Sequence, residues 1–504
     1  MTMTEDVLSR EVSRLVNYGA ARGLLEPEDR VWAANRLLAL LGGGEFEYQE
    51  GAPVPEHANQ ALEPLCDLAA ERGLIDGESG DARDRFDTEL MACLTPRPSE
   101  VIGRFRALYE QDPKAATDYY YALSKASNYI REDRIAKDRL WTAPTPYGEL
   151  VITINLSKPE KDPKAIAAAR NAPAAGYPKC ALCRENEGFL GSAAQAPRGN
   201  HRLIPLPLCG EPWYLQYSPY VYYNEHCIVL SAEHRPMKVS RASFEHLLDF
   251  VTVLPHYFVG SNADLPIVGG SILSHDHFQG GNCEFPMAKA PVREELHFAG
   301  YPQVQAGIVH WPMSVIRLRA AEKEPLIDLA DRILTAWRGY SDESADIRAF
   351  SGETPHNTIT PIARRRGEDF ELDLVLRNNR TTEEHPLGLF HPHAQYHHIK
   401  KENIGLIEVM GLAILPPRLL TEGEILMEAL AHPEREAQLL ARPEVEKHLE
   451  WFPALKAAVA AGKTPEQAVQ EGIGEIFGKI LGNAGVFKDT PEGRAAFRRF
   501  CESL

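Results

Sequence analysis

Two histidines one residue apart, His275 and His277, are the side chains in this sequence best suited to covalent chemistry. They follow a short apolar run and a Gly pair, Gly269 and Gly270, a pattern typical of a buried strand that leads to a site. Alternate side chains of a strand share a face, so we expect both imidazoles to point into one pocket. Neutral imidazole is nucleophilic near pH 7 and leaves readily once phosphorylated, which suits it to group transfer.

A second candidate site is the Cys-x-x-Cys loop formed by Cys180 and Cys183. At this spacing two thiolates can bind one tetrahedral zinc, although the pair supplies only half of the ligands. A redox role and a loop without metal are the alternatives. Disulfides are not expected in a long chain without a secretory signal. The other cysteines are scattered along the sequence: Cys66, Cys93, Cys209, Cys227, Cys283 and Cys501.

The segment around the two histidines resembles a known signature. From Asp264 to Gly281 it is similar without a break to the class II galactose-1-phosphate uridylyltransferases, a branch of the histidine-triad superfamily. A second segment, from His397 to Leu419, resembles the same family almost throughout. The resemblance covers most of residues 140 to 420.

The resemblance implies a double displacement. His277 would attack the α-phosphorus of UDP-glucose and expel glucose 1-phosphate, and the uridylyl group would then pass to galactose 1-phosphate. In the family pattern the backbone carbonyl of His275 accepts a hydrogen bond from the nucleophile and fixes its tautomer. Gln279 would bond a phosphoryl oxygen.

The resemblance also implies further contacts with the substrate. Lys158 and Lys161 occupy the place where related enzymes grip the nucleotide phosphates, but two solvated loop lysines are an equally good interpretation. The predicted substrate-binding set is Lys158, Lys161, Asp264, Gly280, Gly281, His391 and His393. His391 and His393 are expected to share one strand face.

The resemblance also completes the zinc site. It adds His234 and His275 to the two cysteines, which gives a closed Cys2His2 set typical of structural zinc. Such an ion would hold His277 in place through its neighbour. A second metal is an open alternative to substrate contact for Glu294, Glu295, His356, His391 and His393.

Composition limits the class of protein. The chain has 504 residues, of which 44% are hydrophobic and 25% charged, so we expect a soluble globular protein of two or three domains. Without an apolar run of membrane-span length or a signal sequence, it is predicted to be cytoplasmic. The formal charge of −17 argues against nucleic acid or an anionic membrane as partner. The basic runs 364–366 and 400–401 are interpreted as solvated faces.

The predicted fold is α+β. Residues 1–140 show helical periodicity, for example Leu8, Val12 and Leu15, and form an N-terminal helical domain. Residues 141–300 and 301–504 are predicted as two histidine-triad-like antiparallel sheet halves, the first with the catalytic motif and the second with a helical tail. Capping boxes in the tail are predicted at 421–424 and 464–467.

The sequence therefore predicts a cytoplasmic UDP-glucose:hexose-1-phosphate uridylyltransferase of galactose metabolism, for which the resemblance implies a homodimer. A dinucleotide phosphorylase or nucleotidyl hydrolase of the same superfamily is the first alternative, because it would also use His277. A non-catalytic module that binds nucleotide sugars is the second, and it predicts that loss of His277 leaves function intact.

Overall fold

The structure is a computed structural model that describes residues 3–156, 176–192, 195–270 and 272–504. Lys158 and Lys161 lie outside these residues. Within them, no helix has the length and apolar character needed to cross a bilayer.

Helices dominate both ends of the chain. Thr464 caps the second-last helix as the sequence predicts, and Thr490 caps the last one; their side chains accept hydrogen bonds from Gln467 N and Gly493 N. The described helices are α1 (Met3–Ala21), α2 (Arg30–Leu40), α3 (Asn59–Glu71), α4 (Gly80–Ala92), α5 (Pro98–Tyr109), α6 (Pro113–Ala126), α7 (Glu132–Ile135), α8 (Arg241–Val253), α9 (Pro286–Lys289), α10 (Lys323–Gly339), α11 (Leu406–Val409), α12 (Arg418–Ala431), α13 (Glu436–Leu440), α14 (Phe452–Ala460), α15 (Pro465–Ala484) and α16 (Pro491–Glu502).

Strands occupy the middle of the chain. With the helical ends they confirm the predicted α+β class. The described strands are β1 (Arg139–Thr145), β2 (Gly148–Ile154), β3 (Ile204–Pro205), β4 (Trp213–Tyr217), β5 (Cys227–Ser231), β6 (Phe258–Gly260), β7 (His277–Gly281), β8 (Val292–Leu296), β9 (Gln305–Val309), β10 (Val315–Ala320), β11 (Phe350–Ser351), β12 (Thr354–Pro355), β13 (Asn357–Arg366), β14 (Asp369–Asn378) and β15 (Leu412–Leu415).

The chain forms two compact units. The first takes in Met1–Lys137, Ser157–Val221 and Glu225–Arg235, and the second takes in Asp138–Leu156, Tyr222–Asn224 and Pro236–Leu504. In the first unit, helices α1 to α7 precede the antiparallel strands β3, β4 and β5. Apolar residues at helical spacing in α1, Leu8, Val12, Leu15 and Val16, are fully buried. Tyr120 of α6 is also buried and packs in the core.

The second unit is built on antiparallel strands in the order β7, β6, β13, β14, β10, β9, β8. Leu372, Leu374 and Leu376 of β14 are fully buried and share one face of these strands. Helices α8 and α10 pack against the same strands. A separate small sheet pairs β1 with β2 antiparallel and β2 with β15 in parallel.

The opposite face of β14 carries a buried ionic network. Asp373 is fully buried and accepts hydrogen bonds from Arg317 Nε at 2.7 Å and from Arg364 at 2.6 Å. Burial alone would raise the pKa of Asp373, but the charges of Arg364 and Arg317 outweigh it and hold that pKa below its usual value. The prediction of a solvated face is therefore wrong for Arg364. It is also wrong for Lys400, which is 3% exposed and lies 3.1 Å from Glu408.

Replacement of Asp373 by alanine should destabilise the protein by about 3 to 5 kcal/mol, because two arginines would remain buried without their carboxylate. The free energy of unfolding in urea measures the change. Asp369→Ala, in the same strand, is the control: its ion pair with Arg319 is 2.8 Å long but partly exposed, so it should cost at most about 1 kcal/mol. Equal losses for the two variants would show that burial of the network does not matter.

Candidate active site and metal centre

His277 opens strand β7 and is 6% exposed. Its Nδ1 lies 2.7 Å from the carbonyl oxygen of His275. Because a carbonyl can only accept, the proton of the neutral ring is on Nδ1, and Nε2 keeps its lone pair. The hydrogen bond that the resemblance implies is therefore present, and it selects the tautomer in which Nε2 can attack an electrophile.

Burial keeps this ring neutral. It lowers the pKa of His277 to about 4, because the charged form loses solvation, while the hydrogen bond to His275 acts in the opposite direction. Near pH 7 the imidazole is in its nucleophilic form, and no separate base is needed to remove a proton.

Strand β7 separates its side chains between two faces. Phe278 is buried and turns toward α8, where its ring centre lies 6.3 Å from that of His246. Gln279, two residues after His277, is half-buried and shares the face of His277. Gly280 and Gly281 are buried, and the hydroxyl of Tyr223 donates to the carbonyl of Gly280 at 3.1 Å.

One detail of the predicted geometry is wrong. His275 does not share a strand face with His277, because it lies in a bend and the strand begins only at His277. The partner strand β6 ends at Gly260, which pairs with Gln279. On the β6 side the ladder does not continue back to His275. In this bend the carbonyl of His275 accepts the hydrogen bond that holds His277.

The loop before β7 is tightly built around Asp264. Its carboxylate accepts from Val239 N at 2.9 Å and from Thr358 Oγ1 at 2.5 Å. At Gly269 an added Cβ would lie 2.5 Å from the carbonyl oxygen of Ala263, so only glycine fits this close approach. Asp264 thus anchors the loop through both carboxylate oxygens, and its contact with a substrate stays a prediction.

Cys180, Cys183, His234 and His275 form the group that the sequence predicts as a metal site. Their ligand atoms all lie within 4.8 Å of one another. The two Sγ atoms are 3.6 Å apart, and Cys183 Sγ is 3.2 Å from His234 Nδ1. A tetrahedral ion with zinc–sulfur bonds of about 2.3 Å would place two thiolates about 3.8 Å apart. Both the donor types and the spacing fit structural zinc.

The predicted histidine pair of the second half lies in a loop, so its assignment to a strand is wrong. His391 is buried, with Nε2 3.2 Å from Asn403 Oδ1. His393 Nε2 donates to the carbonyl of Leu389 at 3.1 Å, and its ring stacks on that of His385. Hydrogen bonds of the histidine side chains, and not the backbone ladder of a strand, hold these residues in place.

A second metal site does not form among the described residues, where the Cys2His2 set is the one group with ligand geometry. Glu294 is 2.6 Å from Arg498. Both ring nitrogens of His356 are occupied, at 2.8 Å from Asn379 and Ser351.

Two residues near the site escaped the sequence interpretation. Tyr223 bonds Gly280, yet in sequence it belongs to an alternating aromatic run that favours ordinary sheet packing. Asn262 accepts from Leu406 N at 3.0 Å, and an added Cβ on Gly270 would lie 2.8 Å from its Nδ2. Only the position of Asn262, beside the recognised segment, could have drawn attention to it.

Comparison with known proteins agrees with these observations. The N-terminal domain model of galactose-1-phosphate uridyl transferase matches residues 23–236, and the C-terminal domain model matches residues 251–451. The galactose-1-phosphate uridylyltransferase of Halalkalibacterium halodurans is 52% identical over 506 residues and covers 100% of both chains. That of Fusobacterium nucleatum is 51% identical over 500 residues and covers 98% of both chains.

A further relative and one solved structure add to the comparison. The galactose-1-phosphate uridylyltransferase of Bacillus subtilis is 51% identical over 499 residues, or 98% of this chain and 97% of that one. The crystal structure of yeast Ap4A phosphorylase Apa2 aligns with 67% of this chain and 96% of its own, at 12% identity. Its TM-score of 0.29 is too low to establish a shared fold or activity.

Proposed function

The chain belongs to the galactose-1-phosphate uridylyltransferase family, and we propose that it transfers UMP from UDP-glucose to galactose 1-phosphate through a uridylyl-histidine at His277. The observation that carries the mechanism is the 2.7 Å hydrogen bond from His277 Nδ1 to the carbonyl of His275. Identity of 51% over nearly the full length to two galactose-1-phosphate uridylyltransferases supports the substrates.

In the first step Nε2 of His277 attacks the α-phosphorus of UDP-glucose. A phosphorus–nitrogen bond forms, the bond from that phosphorus to the bridging oxygen breaks, and glucose 1-phosphate leaves. The proton stays on Nδ1, which donates it in a hydrogen bond to the carbonyl of His275. Because both ring nitrogens are then substituted, the imidazole carries a positive charge in the intermediate.

In the second step a phosphate oxygen of galactose 1-phosphate attacks the same phosphorus. The phosphorus–nitrogen bond breaks, UDP-galactose forms and neutral His277 is regenerated, with no net gain or loss of protons. The buried site favours the return of the ring to its neutral form, because burial disfavours charge on His277.

The zinc site supplies structure in this proposal. When bound, zinc would be held by Cys180, Cys183, His234 and His275. Its role would be structural, because it would hold these four side chains in fixed positions. His275 is both a ligand and the residue whose carbonyl orients His277. A rigid His275 thus preserves the tautomer on which the attack depends.

The double displacement is tested by isotope exchange. Labelled glucose 1-phosphate and UDP-glucose are incubated with the protein in the absence of galactose 1-phosphate. The proposal predicts that label enters UDP-glucose, because the first step is reversible on its own. A strict requirement for galactose 1-phosphate would contradict it, and steady release of UMP would indicate a hydrolase.

Gln279→Ala is expected to slow both half-reactions by about 100-fold, because the amide would no longer bond a phosphoryl oxygen as charge develops there. The exchange rate measures the first half-reaction, and discharge by galactose 1-phosphate measures the second. Gln305→Ala, an exposed glutamine of β9, is the control and should leave both rates unchanged. An unchanged exchange rate in Gln279→Ala would remove Gln279 from the proposed site.

The remaining assignments belong to the same proposal. We assign substrate contact to Lys158, Lys161, Asp264, Gly280, Gly281, His391 and His393, a cytoplasmic location to the protein, and a homodimer to its assembly. Light scattering of the purified protein tests the dimer, and a monomer mass would reject it.

A further inference from the structure

A cavity of about 110 Å³ lies within the first compact unit. Its wall includes Tyr129, Arg131, Arg134, Arg198 and Asp84. A single water needs only about 10 to 15 Å³ of such space, so the cavity has room for several waters or for a small polyatomic ion. None of these residues takes part in the chemistry assigned to His277.

Two of the three arginines are fixed and neutralised by aspartates. Arg131 makes a bidentate pair with Asp87, at 2.6 and 2.7 Å, and Arg134 makes one with Asp84, at 2.9 and 2.5 Å. Since both oxygens of Asp84 accept from Arg134, this carboxylate has little capacity left to attract a cation. The pairs make the wall rigid, and their charges balance.

The third arginine, Arg198, is different. It donates to the backbone carbonyl of Pro197 at 3.0 Å, and its guanidinium lies 5.5 Å from the ring centre of Tyr129. No carboxylate pairs with it among the described residues. A chain with a formal charge of −17 thus keeps one uncompensated positive charge at this cavity.

Tyr129 supplies a hydrogen-bond donor without an acceptor. Its hydroxyl is buried and has no hydrogen-bond partner among the described residues. Burial raises the pKa of Tyr129, so the hydroxyl keeps its proton near neutral pH. The ring stacks on His201, with ring centres 4.4 Å apart, which holds the side chain in this position. A buried donor left unpaired is unfavourable unless a ligand or water completes it.

We propose that this cavity binds a small oxyanion of the phosphate class, held by the guanidinium of Arg198 and the hydroxyl of Tyr129. Such an anion accepts hydrogen bonds from both groups and is small enough to enter the cavity. A cation would be repelled by Arg198, and an apolar ligand would leave the tyrosine donor unpaired. Free phosphate and the phosphoryl group of a phosphate monoester share this chemistry. The proposal is independent of the one for His277.

Calorimetric titration of the full chain with inorganic phosphate, at constant ionic strength set by potassium chloride, tests the site. We expect Arg198→Gln to weaken phosphate binding by about tenfold or more, because a charge-assisted hydrogen bond is lost. Tyr129→Phe should also weaken it, without lowering the melting temperature of the phosphate-free protein, since its hydroxyl has no bond to lose. Arg106→Gln, an exposed arginine of the same unit, should bind as wild type does.

The same titration with glucose 1-phosphate distinguishes the sources. Binding that Arg198→Gln weakens equally would assign the site to phosphate monoesters as well, whereas binding indifferent to Arg198 would restrict the site to the free anion. The proposal is wrong if phosphate binds Arg198→Gln and Tyr129→Phe as tightly as wild type. It is also wrong if wild type shows no binding at about 10 mM, where a millimolar site would be filled.

Discussion

Replacement of His277 by alanine is expected to lower uridylyl transfer by at least about 10⁴-fold, as loss of a covalent nucleophile does in other enzymes. The neighbouring imidazole, that of His275, belongs to the proposed zinc ligands and is not expected to replace it. Release of glucose 1-phosphate from UDP-glucose measures the effect.

Two further variants separate chemistry from folding. His277→Asn keeps a side chain that can donate to the carbonyl of His275 but has no nucleophilic nitrogen, so it should be as inactive as the alanine variant. His297→Ala removes an exposed histidine of the same unit and should keep full activity. Transfer at a tenth of the wild-type rate in both His277 variants would assign the chemistry to another residue.

Replacement of Cys183 by serine is expected to release the metal and to cost several kcal/mol of folding free energy, because structural zinc contributes about 10 to 16 kcal/mol in small zinc domains. Metal analysis should find one zinc per wild-type chain and almost none in the variant. Its melting temperature should fall even in the absence of substrate.

Cys209→Ser serves as the control, since Cys209 is exposed and lies outside the ligand group. It should retain the zinc and the wild-type melting temperature. A Cys183→Ser protein with full zinc content would show that the ion binds elsewhere. A wild-type protein purified without chelators and without zinc would reject the metal assignment.

Local patterns predicted the parts of the fold that depend on neighbours in sequence. The cap at Thr464 and the strand at His277 are read correctly because hydrogen bonding within a few residues, or alternation of side chains, determines them. The capping box predicted from Thr421 is wrong, because helix α12 already begins at Arg418, directly after Pro417. A proline pair before a helix favours this earlier start.

The rest depends on partners distant in sequence. The pairing of β7 with β6 ends where Gly260 lies opposite Gln279, and no feature near His275 shows that end. The burial of Arg364 depends on the carboxylates of Glu371 and Asp373 across a hairpin, so the basic run alone suggested exposure. The zinc ligands could be named because the resemblance supplied the two that spacing could not.

The most direct test of a covalent uridylyl-histidine is the intact mass of the protein after brief incubation with UDP-glucose alone. The mechanism predicts a gain of one uridylyl group in wild type, its absence in His277→Ala, and its removal by galactose 1-phosphate. Unmodified wild-type protein that contains zinc, is correctly folded and still transfers UMP would contradict the double displacement.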